Sequence, residues 1–387
     1  MIELLRNADL YDPEPRGRAD LVVAGETVVW VGASLPSLPP GLDARERDLE
    51  GRRVIPGLVD CHVHLTGGGG EAGPHTRVPP VTLSRLTAGG VTTAIGVLGT
   101  DDTVRTPAEL VTTARGLIAE GMSAYCHTGG YHVPPATITG SVRGDIVLVD
   151  LILGVGELAI SDSRSSQPTL DELLRVAGDA HVGGLMAGKA GIVHLHVGGG
   201  ARGLELVRQA LEKSELPAAV FNPTHINRGK RLFEEALALA KRGCTIDITA
   251  FPVEEGEDAW SGSEALTRYL ESGLPPGRVT VSSDGGGCFP SFDVDGRVAG
   301  FAVGAPGAMA VALGELLACG QPLERVLPAF TTNPARLLML PRKGRVAAGL
   351  DADLVVLGDD GGVQDVMARG RWHVRGGRPV VHGTFEG

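Results

Sequence analysis

The run Pro56-Gly57-Leu58-Val59-Asp60-Cys61-His62-Val63-His64 ends an apolar stretch in two histidines one residue apart. On a β-strand, residues i and i+2 project from the same face, so His62 and His64 can reach one metal ion together. Alone, such a pair carries little weight. Here it has company at strand-like positions: Glu157 after Gly154-Val155-Gly156, His196 after Val193-His194-Leu195, His225 after Phe221-Asn222-Pro223-Thr224, and Asp284 after Val281-Ser282-Ser283. Zinc and similar ions take histidine nitrogen and carboxylate oxygen, and a catalytic site keeps one position open for water. A carboxylate near residue 157 would bridge two ions about 3.5–4 Å apart, which can hold a hydroxide whose parent water has a pKa lowered to about 7. Asp284 would then be both a ligand and the base that moves a proton to a leaving amine.

The other candidates read more blandly. His194 is taken as structural and turned away from this set. His127 and His132 lie in a Gly-rich loop and are either substrate-facing or merely solvated. His75, His181, His373 and His382 have no partners in sequence and are expected at the surface. The five cysteines, Cys61, Cys126, Cys244, Cys288 and Cys319, are scattered, odd in number and without a CxxC pair. That argues against a disulfide framework or a structural zinc site and for small core hydrophobes.

The elements that must position these residues fall into two rhythms. From 56 to 341, apolar strand-like runs alternate with helical patterns. Helices are expected over Val81–Ala88, Pro107–Glu120, Thr169–Ala180, Gly203–Lys213, Leu232–Arg242 and Leu266–Ser272. Strands are expected at Val91–Ile95, Ser123–His127, Ile192–Val197, Ala218–Phe221, Thr245–Thr249 and Arg278–Ser283. Repeated β–α units over this length fit a (β/α)8 TIM-like barrel, and periodicity alone also allows a doubly wound open sheet. The candidate ligands favour the barrel, because they lie at the C-terminal ends of apolar runs, where barrel active sites sit. Residues 1–55 and 342–387 carry β-branched runs without long helical patterns. They are expected to join as one small β-sandwich domain, with the barrel domain 56–341 inserted between them.

With 387 residues, 43% of them hydrophobic, the chain is long enough for that arrangement. The net charge of −11 without a basic block makes nucleic acid an unexpected partner. No apolar run is long enough for a bilayer, and no secretory pattern opens the sequence, so a cytoplasmic protein is expected.

Beyond these readings, several runs resemble the amidohydrolase superfamily: Pro56 to His64, the single histidines after strands, Ser282-Ser283-Asp284-Gly285, Thr331 to Ala335, and Gly349 to Val356. The resemblance covers nearly the whole chain. Within the superfamily it is strongest to the isoaspartyl (β-aspartyl) dipeptidases, through Gly67 to Pro74, Leu98 to Asp101, Tyr131 to Pro134, Thr139 to Val142, Ile160 to Ser165 and Thr224 to Arg228. It implies two Zn2+ ions held by His62, His64, His196, His225 and Asp284. It implies that Glu71 receives the α-ammonium of a β-aspartyl dipeptide, that Arg164 and Arg228 bind its carboxylates, and that Thr100 adds a hydrogen bond. Tyr131, on a mobile loop, would stabilise the oxyanion. A homo-oligomer is implied as well.

Two departures stand out. The family's bridging carboxylated lysine is missing; no lysine precedes Lys189, and the bridging position is Glu157. The segment before it is one residue longer than the family pattern, so a bulge at Gly156 is expected to carry Glu157 towards the metals. The family's substrate-binding serine is Cys288, a weaker donor. The expected activity is hydrolysis of β-aspartyl dipeptides by a hydroxide shared, with Glu157, between two zinc ions. An amidohydrolase acting on cyclic amides or N-acyl amino acids is the alternative. A catalytically silent binding protein is the third reading.

Overall fold

The computed structural model describes residues 2–37, 41, 43–292 and 298–386. Strands β1 (Leu58–Val63), β2 (Val91–Gly96), β3 (Ser123–Thr128), β4 (Ile152–Ile160), β5 (Ile192–Val197) and β6 (Phe221–Thr224) lie side by side in sequence order as one parallel sheet. Strand β7 (Ile246–Thr249) pairs in parallel with β8 (Val279–Ser282). Two seams close the ring. Ile226 N donates to Asp247 O at 3.4 Å, and His64 N donates to Gly285 O at 2.9 Å beside a parallel bridge from Val63 to Gly285. The sheet is therefore a closed α/β barrel and not an open doubly wound sheet.

Strands β1, β2 and β5 are buried along their whole length, as parallel strands covered on both faces must be. The covering helices begin and end where side-chain chemistry allows. Thr169 and Glu172 form a capping box ahead of Leu170–Ala187. Thr106 accepts from Glu109 N to start Pro107–Glu120, which ends on Gly121 at φ 111°. Such caps satisfy backbone groups that a helix end leaves open. The expected helices are present with shifted ends, and Ala218–Val220 is a 3-10 turn leading into β6 rather than strand. A short helix Val142–Leu148, a hairpin of Cys288–Phe292 with Val298–Val303, and a helix Ala308–Ala318 lie outside the sequence-based expectation. The last is apolar at most positions, so its 3.6-residue contrast is weak.

Both ends of the chain build one further sheet. Ile2–Tyr11, Pro15–Ala24, Thr27–Gly32, Ala44–Asp48 and Arg53–Pro56 join Leu354–Leu357, Val363–Ala368, Arg371–Arg375 and Arg378–Pro379. The two ends meet where Ile55 faces Val355 in antiparallel register. The strands bond into one continuous nine-stranded sheet, not two separate ones, and strands from both its flanks share a core through Val28 and Trp372. Buried Lys343 ties this sheet to the barrel. Its Nζ lies 2.8 Å from Asp351 and 2.6 Å from Asp353, and donates to Ser123 Oγ at 2.7 Å. Among the described residues, no helix is long and apolar enough to cross a membrane.

His373 is buried in the terminal sheet and not at the surface. Trp372, His373 and Val374 are buried in succession, and the imidazole sits among them as a neutral ring. Burial, with Arg371 beside it, pushes its pKa down to about 4. The unfolded chain then binds more protons than the folded one between about pH 6.5 and 4, so stability falls as pH falls through that window, by up to about 1.4 kcal/mol per unit. Urea unfolding of His373→Leu should accordingly show a smaller loss of stability between pH 7 and pH 4.5 than the parent protein.

Candidate active site

The six ligand candidates converge at the C-terminal mouth of the barrel. His62, Glu157 and His196 stand on β1, β4 and β5; His64, His225 and Asp284 follow the ends of β1, β6 and β8. His225 and Asp284 hold positive φ angles of 60° and 51°. Non-glycine residues there cost on the order of 1–3 kcal/mol and concentrate at functional sites.

Glu157 is the hub. Its Oε1 lies 2.5 Å from His196 Nδ1 and 3.2 Å from His225 Nε2, and its Oε2 lies 3.2 Å from His62 Nε2 and 3.5 Å from His64 Nε2. Asp284 Oδ1 is 3.1 Å from His64 Nε2 and 3.5 Å from His62 Nε2, while Oδ2 is 3.7 Å from His225 Nδ1. The backbone explains how a glutamate gets there. Val193 on β5 faces Val155 on β4, but Leu195 faces Leu158, so β4 spends three steps where β5 spends two. That extra residue is a bulge at Gly156–Glu157. Gly156 has φ 150°, and a Cβ there would sit 2.5 Å from the His194 carbonyl oxygen. Lys189 stands elsewhere, its Nζ donating to the carbonyls of Ile146 and Val149 at 2.7 Å each.

Among the described residues, two groups have the spacing of metal ligands: His62, His64 and Asp284, and His62, Glu157 and His225. His196 reaches them through Glu157 but falls in neither group. Among the described buried atoms, Glu157 Oε2 and Asp284 Oδ1 have no hydrogen-bond donor. A buried carboxylate oxygen without a donor is costly, and a cation would satisfy both. The donor set of imidazoles and carboxylates therefore fits zinc or a similar ion. Burial pushes Asp284 up, but His62 and His64 outweigh it and hold the carboxyl near a pKa of about 2. Burial likewise opposes ionisation of Glu157, and His62 and His196 overcome it, leaving it well below the ordinary carboxylate range.

A cavity of about 210 Å³ opens beside these residues, and Glu71, Thr100, Tyr131, Arg164, Arg228 and Cys288 all line it. Glu71 Oε1 accepts from Thr100 Oγ1 at 3.0 Å and from Arg164 Nη1 at 3.2 Å, while Oε2 is buried without a partner. Arg164 also grips Asp162 through two bonds of 3.0 and 2.8 Å. Arg228 has no carboxylate partner among the described residues; its Nη1 lies 3.4 Å from His196 Nε2. Tyr131 is buried with its hydroxyl 2.8 Å from His196 Nδ1. Burial first, then the Glu157 charge, keeps its phenol protonated far above the ordinary range. Cys288 is half-buried, and burial with Glu71 beside it pushes the thiol up to about 11, so it is a neutral, weak donor.

Other residues are placed differently from the sequence reading. His194 does not face away: residues two apart on a strand share a face, and its Nε2 lies 2.7 Å from His62 Nδ1. His127 is buried, stacked on His194 with centroids 5.5 Å apart, and so faces neither substrate nor solvent. The Tyr131 loop is anchored on both sides. Asp102 accepts from His132 N at 3.3 Å and bonds the His132 ring, and Asp145 accepts from Ile138 N at 2.9 Å, Thr139 N at 2.7 Å and Thr128 Oγ1 at 2.5 Å. Asp162 was missed: its Oδ2 lies 2.9 Å from His196 Nε2, and the only sequence signal is its place two residues before Arg164. Of the cysteines, Cys61, Cys126 and Cys244 are buried and Cys319 is exposed.

A side chain at position 156 would collide with β5 and displace the bulge. Gly156→Ala should cut bound zinc, measured by elemental analysis, by more than half, and reduce kcat on the order of 100-fold.

The Amidohydrolase family model matches residues 166–373. Imidazolonepropionase from Ruegeria sp. (strain TM1040) is 26% identical over 384 residues, covering 91% of each chain. The crystal structure of beta-aspartyl dipeptidase from Fervidobacterium islandicum AW-1 in complex with beta-Asp-Leu dipeptide is 42% identical, with 98% of each chain covered and a TM-score of 0.91. Dihydropyrimidinase from Brevibacillus agri NCHU1002, at 18% identity, 99% and 97% coverage and a TM-score of 0.64, shares the fold. The chain belongs to the amidohydrolase superfamily, on the branch of the isoaspartyl (β-aspartyl) dipeptidases.

Proposed function

We propose that this hydrolase cleaves β-aspartyl dipeptides with a binuclear zinc site in its barrel domain, 56–341, and that the terminal domain, 1–55 and 342–387, buttresses it. The observation that carries the reading is the pairing in one cavity of a buried, unpartnered Glu71 oxygen with a guanidinium, Arg228, that has no carboxylate among the described residues. A β-aspartyl dipeptide carries one ammonium and two carboxylates. Glu71 Oε2 would take the ammonium, and Arg228 and Arg164 the carboxylates, in the forked geometry that guanidinium favours. Thr100 holds Glu71 in place from its other oxygen. Cys288 lines the same end and would contact substrate as a neutral thiol.

His62, His64, Glu157, His196, His225 and Asp284 would hold the two ions. Bound there, such ions would acidify water to a pKa of about 7 and polarise the amide carbonyl. Asp284, ionised at neutral pH, takes the proton of the attacking water and returns it to the leaving amine nitrogen as the C–N bond breaks. Tyr131, held protonated, donates from its hydroxyl to the oxygen that becomes negative at the tetrahedral stage. The products are aspartate and the free amino acid.

The purified protein should hydrolyse β-Asp-Leu and not α-Asp-Leu, and a chelator should abolish turnover. Cleavage of cyclic amides or N-acyl amino acids instead, with metal bound, would favour the alternative amidohydrolase reading. Glu71→Gln should lower kcat/KM for β-Asp-Leu by about 100-fold while bound metal stays unchanged. Because Glu157 already carries its carboxylate, added bicarbonate should leave the rate unaltered; a bicarbonate-dependent rate would contradict its bridging role.

A further inference from the structure

Beneath the proposed cation site, His62 leads into a row of buried polar side chains that the chemistry above does not use. His62 turns Nε2 towards Glu157 Oε2 and His64 Nε2, at 3.2 and 3.4 Å, and its other nitrogen towards β5. There Nδ1 meets His194 Nε2 at 2.7 Å. His194 Nδ1 in turn lies 2.6 Å from Asn222 Oδ1, and Asn222 Nδ2 donates to the Thr245 carbonyl at 2.7 Å. His127 lies against His194 with an interplanar angle of 26°. His62, His194, Asn222 and His127 are all within about one per cent of full burial, so bulk water does not compete for these bonds.

The direction of every proton follows from the far end. The Thr245 carbonyl only accepts, so Asn222 must present its NH2 there and its oxygen to His194. That oxygen only accepts, so His194 carries its hydrogen on Nδ1. A neutral His194 then offers a lone pair at Nε2, and the hydrogen between the two rings belongs to His62 Nδ1. With Nδ1 committed to His194, Nε2 is the one nitrogen of His62 that can serve as a ligand, and it faces a carboxylate oxygen across 3.2 Å. A proton or a bound cation between those two atoms satisfies both, and only the neutral ring leaves Nε2 open to a metal.

We propose that the Thr245–Asn222–His194 chain sets the tautomer and ring orientation of His62 so that Nε2 is presented to the metal, which makes His194 a positioning residue for the cation site. The proposal rests on the metal-site reading above and deepens it. The backbone carbonyl of Thr245, immediately before β7, would thereby determine the ligand atom on β1. Loss of a partner of this kind typically weakens metal binding by about 10–100-fold.

The test is zinc affinity of the full-length protein, by competition with a chromophoric chelator, with circular dichroism of the metal-free form alongside. His194→Leu removes the acceptor and should weaken zinc binding by about 10–100-fold. His194→Gln, whose side-chain oxygen can stand near the position of ring Nε2, should bind within about threefold of the parent. Asn222→Leu releases the His194 tautomer and should cost about tenfold. A folded His194→Leu that binds zinc like the parent would overturn the proposal, as would a His194→Gln as weak as the leucine variant. Should His194→Leu fail to fold, parent-like zinc binding by Asn222→Leu overturns it instead. A parent protein that binds no zinc would overturn the metal-site reading itself, a result distinct from all of these.

Discussion

A carboxylate stripped of water and left without a donor is the constraint on which the rest of this structure turns. Glu157 is buried to 1% exposure, with four imidazoles around it and one oxygen without a hydrogen bond. Water would ordinarily satisfy that oxygen, and the low dielectric around it makes its isolation costly. Positive charge beside it, from a protonated imidazole or a bound cation, offsets that cost. The bulge at Gly156, the absence of a side chain there, and the register slip against β5 all serve to hold this one group in place. A lysine would need a longer reach and a carboxyl group from solution; the glutamate brings its own carboxylate on a shorter arm and a displaced backbone.

The barrel supports that group through polar contacts as much as apolar ones. Asp60 accepts from the backbone nitrogens of His62 and Ser283 at 3.2 and 3.1 Å, joining β1 to the end of β8 just below the site. Asp247 gathers Thr224, Thr280 and Ser282 at 2.7, 2.5 and 2.6 Å, binding β6, β7 and β8 together. Buried hydrogen-bond networks of this sort rigidify a core when every member is satisfied. Outside them, leucines, valines and alanines of strands and helices form one continuous apolar shell. The substrate end is less settled by packing and more by charge: Arg164 is already divided between Glu71 and Asp162, so an incoming ammonium and carboxylate would rearrange existing pairs as well as add new ones.

Much of this was legible in the sequence because its signals were local. His62 and His64 announce themselves by spacing, and the alternation of apolar runs with helical patterns placed seven of the eight barrel strands within a few residues of where they lie. Resemblance added Glu71, Arg164 and Arg228, which no periodicity would single out. The hidden parts depend on tertiary position. His194, expected to turn away, meets His62 only through the pairing of strands far apart in sequence. Asp162 gains meaning only once His196 is beside it. The helix Ala308–Ala318 lacks a polar stripe, and the hairpin after Asp284 has no length or pattern that separates it from a loop. Pairing between the two chain ends was expected, and their continuity in one sheet follows from the pairing of Ile55 with Val355, a contact across 300 residues.

The most direct test of the account is anomalous diffraction at the zinc absorption edge from crystals of the protein grown with zinc. Two peaks on either side of the Glu157 carboxylate, one beside His62, His64 and Asp284 and the other beside His196 and His225, are the predicted result. A single peak at His62, His64 and Asp284, with Glu157 in contact with no ion, would contradict it.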